Sequence, residues 1–155
     1  MGNVFSLTAA ILLLLTATAC NNPGNKNQGG GETTKNLADS LMDDIDKGHI
    51  VGMGKMGKLS TMQNKVQQAI DSINKLPEKA KMAAAGYKSG LDVLLAELRS
   101  AEDGMNKWMD EFNMDSAKNN LEQRIQYLQS EKMKVTKVKE NMLNALQKAD
   151  SLLTH

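Results

Sequence analysis

Apolar positions recur along most of this chain at alternating steps of three and four residues. The middle segment carries the longest unbroken run. Tyr87, Leu91, Leu94, Leu98, Ala101, Met105, Trp108 and Phe112 follow at steps of 4-3-4-3-4-3-4. Such steps keep one stripe of a helix turned toward a neighbour, so the spacing predicts one helix from near Glu78 to Phe112 with a coiled-coil seam. Pro77 marks its start, since proline is tolerated at a first helical turn, and Glu78 places negative charge there. Gly90 and Gly104 inside it each cost about 1 kcal/mol against Ala.

The last segment repeats the pattern. Leu121, Leu128, Val135, Met142 and Ala149 stand at strict seven-residue intervals, and Val138, Ala145 and Leu152 supply the partner row. Asp115 reads as its N-cap after a short turn at Asn113 and Met114. Glu131 falls on the seam, so the core there is either open or satisfied by a partner. The first segment is weaker. Ala38, Ile45, Gly52, Leu59, Val66 and Ile73 form one row; Leu41, Gly48, Met62, Ala69 and Leu76 form most of the other, with Lys55 interrupting it. Gly48, Gly52, Gly54 and Gly57 lower helix propensity there by a few kcal/mol. Either neighbouring helices approach closely at these glycines or the helix is broken.

Three amphipathic helices with short turns imply an all-α, antiparallel up-down-up three-helix bundle over residues 36–153. Helices of about 33–40 residues make a rod roughly 50–60 Å long. Composition agrees. Aromatics are 3% and methionines number 11, which suits helices better than a sheet and gives a soft core.

Ahead of the bundle the pattern changes. An apolar run, VFSLTAAILLLLTATAC, ends at Cys20 and is followed by NNPGNKNQGGGETT. A short apolar stretch leading into Ala17, Thr18 and Ala19 reads as a secretory signal rather than a span. With Cys20 directly after the small residues, it resembles the bacterial lipoprotein signal, in which the cysteine is lipidated and becomes the first mature residue. The expected organisation is therefore a signal peptide over 1–19, a lipidated Cys20 opening a flexible tether over 20–35, and the bundle. An ordinary cleaved signal, an uncleaved anchor and myristoylation at Gly2 are the competing readings. The Asn- and Gly-rich tether spans on the order of 20 Å. Cys20 is the sole cysteine, so no disulfide is available and stability rests on burial.

Nineteen basic and eighteen acidic residues leave a formal charge of +1. That balance offers nothing to nucleic acid. No glycine loop of phosphate-binding type is present, and no nucleophile has an evident base near it in sequence, so the chain reads as a non-enzyme without an obligatory cofactor. One constellation carries chemistry. His49, Met53 and Met56 fall at i, i+4 and i+7 on one helix face. A hairpin centred on Pro77 sets residue 49 opposite residue 105, which adds Met105, Trp108 and Met109, with Met114 at the same end. Thioether and imidazole donors without a thiolate suit Cu(I), and an indole ring shields such an ion by a cation–π contact. The competing reading is a Met and Trp stripe that packs as core with one hydrogen-bonded histidine. The last helix bears Lys132, Lys134, Lys137, Lys139 and Lys148 among Glu131, Glu140 and Asp150. That is a solvated surface or a docking face for an envelope partner.

The order HIVGMGKMGKL, GMNKWMDEF and IQYLQSEKMKVTKVKENMLNAL resembles a group of small lipoproteins of Bacteroidota-type bacteria, many of them labelled "viral A-type inclusion protein". The resemblance runs from about Asp39 to Ala149 and rests on His49, Met53, Met56, Trp108, Met109, Tyr127, Leu128 and Glu131. The glycines around Met53 depart from the pattern. The resemblance implies location and architecture and carries no activity. The expectation is a lipid-anchored, non-enzymatic helical module of the bacterial cell envelope, periplasmic or surface-facing. Its partners are a membrane, an envelope protein or a second copy. Cu(I) binding through the His/Met/Trp cluster is the alternative.

Overall fold

The computed structural model describes residues 29–154, and side chains from Thr33 onward. The signal peptide, Cys20 and most of the segment read as a tether lie outside the described residues. Three helices make up the fold: α1 (Gly29–Asn74), α2 (Glu78–Glu111) and α3 (Leu121–Leu153). Each packs against both others, so the chain is an all-α three-helix bundle running up, down and up. Among the described residues no helix is long and apolar enough to cross a membrane.

The seam residues form the core. Ile45, Leu59 and Val66 from α1, Leu91, Leu98 and Met105 from α2, and Leu128, Val135 and Met142 from α3 are all fully buried. Burying a large aliphatic side chain contributes roughly 1.5–3 kcal/mol, and with no disulfide this stripe carries the fold. The seam frays at its ends, where Tyr87, Leu76 and Leu121 are exposed.

Two boundaries differ from expectation, and a third feature decides between the two alternatives left open at the α1 glycines. First, α1 begins at Gly29 rather than near Asn36. At 46 residues it is about 69 Å long, against about 50 Å for each of the others. Second, α3 is capped by Asn120, not Asp115. The Gln123 backbone N–H donates to the Asn120 side-chain oxygen at 3.0 Å. Asp115 instead sits in the connection, where its own N–H donates to the Asn113 side chain. Ala117, at φ 56°, reverses the chain in the left-handed region, a conformation that costs a non-glycine residue about 1–2 kcal/mol. Third, α1 runs unbroken through its glycines. A Cβ at Gly52 would lie 2.1 Å from Cε of Met105, and one at Gly48 would lie 3.2 Å from Val135. The two glycines face α2 and α3 and admit side chains that an alanine would crowd. Gly54 and Gly57 have nothing within 4 Å and face outward.

The α1–α2 turn is tight. Pro77 takes the cap position of α2 at φ −58°, ψ 151°, and its carbonyl accepts from Ala80 and Lys81. The α2–α3 connection is longer and stands at the opposite end of the rod. Thr34 of α1 lies level there with Leu121 and Ile125. The chain therefore enters the bundle at the α2–α3 end.

Candidate functional site

Near that end, α1 and α2 part enough to leave a pocket of about 650 Å³ lined by Met42, Ile45, Asp46, His49, Trp108, Met109, Phe112 and Met114, with Asp43 at its edge. Met42, Ile45, Asp46 and His49 of α1 stand at i, i+3, i+4 and i+7, one face of a helix. Those of α2 stand at 108, 109 and 112, on the continuation of its seam. Met114 comes from the first residues of the connection.

The pocket is held from behind. Trp108 is 5% exposed, and its indole N–H donates to the Glu131 carboxylate of α3 at 3.0 Å. Glu131 is the one buried charged residue among those described. Its other oxygen accepts from Lys134 at 2.8 Å. This hydrogen bond holds the Lys134 ammonium above its ordinary value, against a smaller opposing effect of burial. The seam at Glu131 is thus satisfied within the chain, by a tryptophan of the preceding helix.

The aromatic rings continue the wall. The Trp108 and Phe112 rings are stacked at 5.1 Å, and Phe112 faces Tyr127 at 6.2 Å. The Tyr127 hydroxyl oxygen accepts from the Asn113 N–H at 2.7 Å. That bond ties the end of α2 to α3 next to Phe112, which lines the pocket. On the open side, the His49 and Trp108 rings stand 5.6 Å apart. His49 Nε2 lies 3.3 Å from Sδ of Met109.

Of the six residues expected to converge, the structure brings together His49, Trp108 and Met109. Met53 is 41% exposed and does not line the pocket. Met56 packs against the core. Met105 is fully buried beneath Gly52, with Sδ of Met142 beside it; it fills the core. Met42, Ile45, Asp46 and Phe112 are the residues that sequence reasoning missed. The signal was present in the direction of helical side chains, which lean toward the N-terminus. A histidine at 49 therefore faces the turn holding Ile45 and Met42, not the one holding Met53.

The surroundings are mixed in charge. Asp43 pairs with Lys47, which holds the Lys47 ammonium above its ordinary value. Asp44 pairs with Lys132 of α3 at 2.6 Å, and this bond keeps its carboxyl below the usual range. Among the described residues, no three His, Cys, Asp or Glu side chains cluster as a metal site. A groove of similar size between α2 and α3 is lined by Glu97, Ser100, Asn141, Asn144 and Lys148. The Lys148–Glu97 ion pair bridges that groove, and it lacks the aromatic wall that makes the first pocket the better candidate.

No protein-family model, curated protein or solved structure matches this chain.

Proposed function

We propose that this chain is a lipid-anchored, non-enzymatic binding module of the bacterial cell envelope, tethered through Cys20, whose recognition site is the pocket at the α2–α3 end. The observation that carries the reading is the position of that pocket. α1 begins at Gly29, nine residues after Cys20, a reach of at most about 32 Å at full extension. A lipid on Cys20 would keep the pocket close to the membrane surface. The apolar run ending at Cys20 and the resemblance to small envelope lipoproteins support the anchor. The pocket's largely apolar and aromatic wall, with His49 and Asp46 as its few polar groups, supports binding over catalysis. The partners of this reading are the membrane, through the lipid, and an envelope protein; nucleic acid is not among them.

Fractionation of cells tests the anchor. Wild-type chain sediments with membranes and is released by detergent, while Cys20→Ser stays in the soluble fraction or keeps its signal peptide. A mature wild-type chain that is soluble and unlipidated overturns the reading.

A second reading gives the same pocket Cu(I) as its ligand. The close approach of His49 Nε2 to Met109 Sδ favours it, since these are donors of the kind soft ions take.

A further inference from the structure

We infer that the pocket holds one soft d¹⁰ cation, Cu(I), between His49 Nε2 and Met109 Sδ, with a third donor from Met42 or Met114 and the Trp108 ring as its shield. This rests on the pocket being the recognition site, and it redraws the ligand set: Met53, Met56 and Met105 are left out.

The distance between the two donors is the first argument. Bond lengths of about 2.0 Å to nitrogen and about 2.3 Å to sulfur hold for a d¹⁰ ion. Two donors 3.3 Å apart then subtend about 100° at a shared metal, close to the tetrahedral angle. A linear two-coordinate ion would need them about 4.3 Å apart. The pair is thus one edge of a three- or four-coordinate site and calls for another ligand. Met42 and Met114 line the same pocket. Met114 is well exposed and lies in the connection, so its thioether can swing inward at little cost.

The second argument is preorganisation. The Glu131 bond fixes the edge of the indole in the core, so Trp108 cannot turn away from His49. Its centroid stands 5.6 Å from that of the imidazole, so an ion bound on the indole side of the imidazole comes within the roughly 6 Å over which a ring attracts a cation. Asp46 on the pocket wall adds negative charge without offering the close carboxylate cluster that hard cations prefer. A neutral imidazole with its proton on Nδ1 presents Nε2 to the metal, and the ion then replaces the hydrogen bond that an Nε2–H would give Sδ of Met109.

The test is an anaerobic titration of the full chain carrying Cys20→Ser, purified in detergent, so that no thiolate competes. Cu(I) is supplied as its bicinchoninate complex, and the fluorescence of the only tryptophan is read. One equivalent is taken from the chelator with quenching of Trp108. His49→Ala and Met109→Leu each weaken binding by about tenfold or more, with helicity unchanged by circular dichroism. Met53→Leu and Met56→Leu bind as the parent does. The Met42→Leu/Met114→Leu double variant loses affinity, and the single variants show which thioether serves. Failure to take Cu(I) from the chelator overturns the site, as does binding indifferent to both His49→Ala and Met109→Leu. Undiminished binding in the double variant overturns the third ligand. Fractionation separates this from the anchor: a membrane-bound chain that takes no Cu(I) loses the metal site alone, and a soluble chain that binds it loses the anchor alone.

Discussion

The indole N–H of Trp108 donates to the carboxylate of Glu131 across the α2–α3 interface, at 3.0 Å and out of reach of solvent. An unmade bond at a buried donor costs about 1–3 kcal/mol, more than a made one gains. Glu131→Ala orphans the indole and should lower stability to urea by about 1–3 kcal/mol. Glu131→Gln keeps an acceptor and should lose less. The Trp108→Phe/Glu131→Leu double variant removes both polar partners together, and its loss should fall short of the sum of the singles. Additive losses would show that the bond carries no coupling.

The glycines of α1 divide by what they face. Gly54→Ala and Gly57→Ala meet open space and should each stabilise the chain by about 0.5–1 kcal/mol through helix propensity. Gly52→Ala gains the same amount but drives a methyl into Met105, a side chain with no exposed surface. Overpacking costs about 1–3 kcal/mol, so the net change should be a loss. Met105→Ala in the same chain makes room for that methyl, and the penalty of Gly52→Ala should then shrink. Thermal melts of the four alanine variants and the pair decide it.

Much of this fold is written in the seven-residue rows. α2 ends at Glu111, one residue from the predicted Phe112, because its seam runs unbroken and Pro77 fixes its start. The start of α1 was not legible, since the residues before Asn36 have no apolar period to read. The α3 boundary reads at Asp115, five residues early, since Asp115 and the true cap Asn120 are residues of the same capping kind. The choice falls to contacts distant in sequence: Tyr127 on Asn113, and Arg124 on the carbonyl of Ser116. Glu131 stood out as an anomaly, but its partner depends on the register between two helices. The pocket was half legible for the same reason. Hairpin pairing placed Trp108 and Met109 beside His49, whereas the lean of helical side chains exchanged Met53 for Met42 and Ile45.

Asn120→Ala should cost about 0.5–2 kcal/mol, the worth of an N-cap whose side chain accepts from the first turn. Asp115→Ala should cost much less, because its side chain caps no helix and its ion pair with Lys118 is exposed. Urea midpoints of the two variants give the comparison. Equal losses would move the start of α3 back toward residue 115.

The ion pairs around the pocket set opposite limbs of a pH profile. Glu131 accepts a hydrogen bond from Lys134 and raises it above its ordinary 10.5. A group whose value rises on folding stabilises the fold fully below its unfolded value, and that contribution disappears as pH climbs through the folded one. Asp44 has the opposite sign. Lys132 lowers it below its ordinary 3.8, so its contribution is full above that value and is lost as pH falls through the folded one. Both act together between about pH 4 and pH 10.5. The Lys134 side chain is about half exposed, so solvent screening keeps its share under ~1 kcal/mol. Lys134→Met should therefore be slightly less stable than wild type at pH 7, and the two should converge as pH climbs past the raised folded value of Lys134. Asp44→Asn should instead converge with wild type on the acid side. Urea unfolding at pH 3, 7 and 11 reads both limbs. A Lys134→Met deficit that persists undiminished at the highest pH would trace it to lost packing of the lysine stem rather than to its charge.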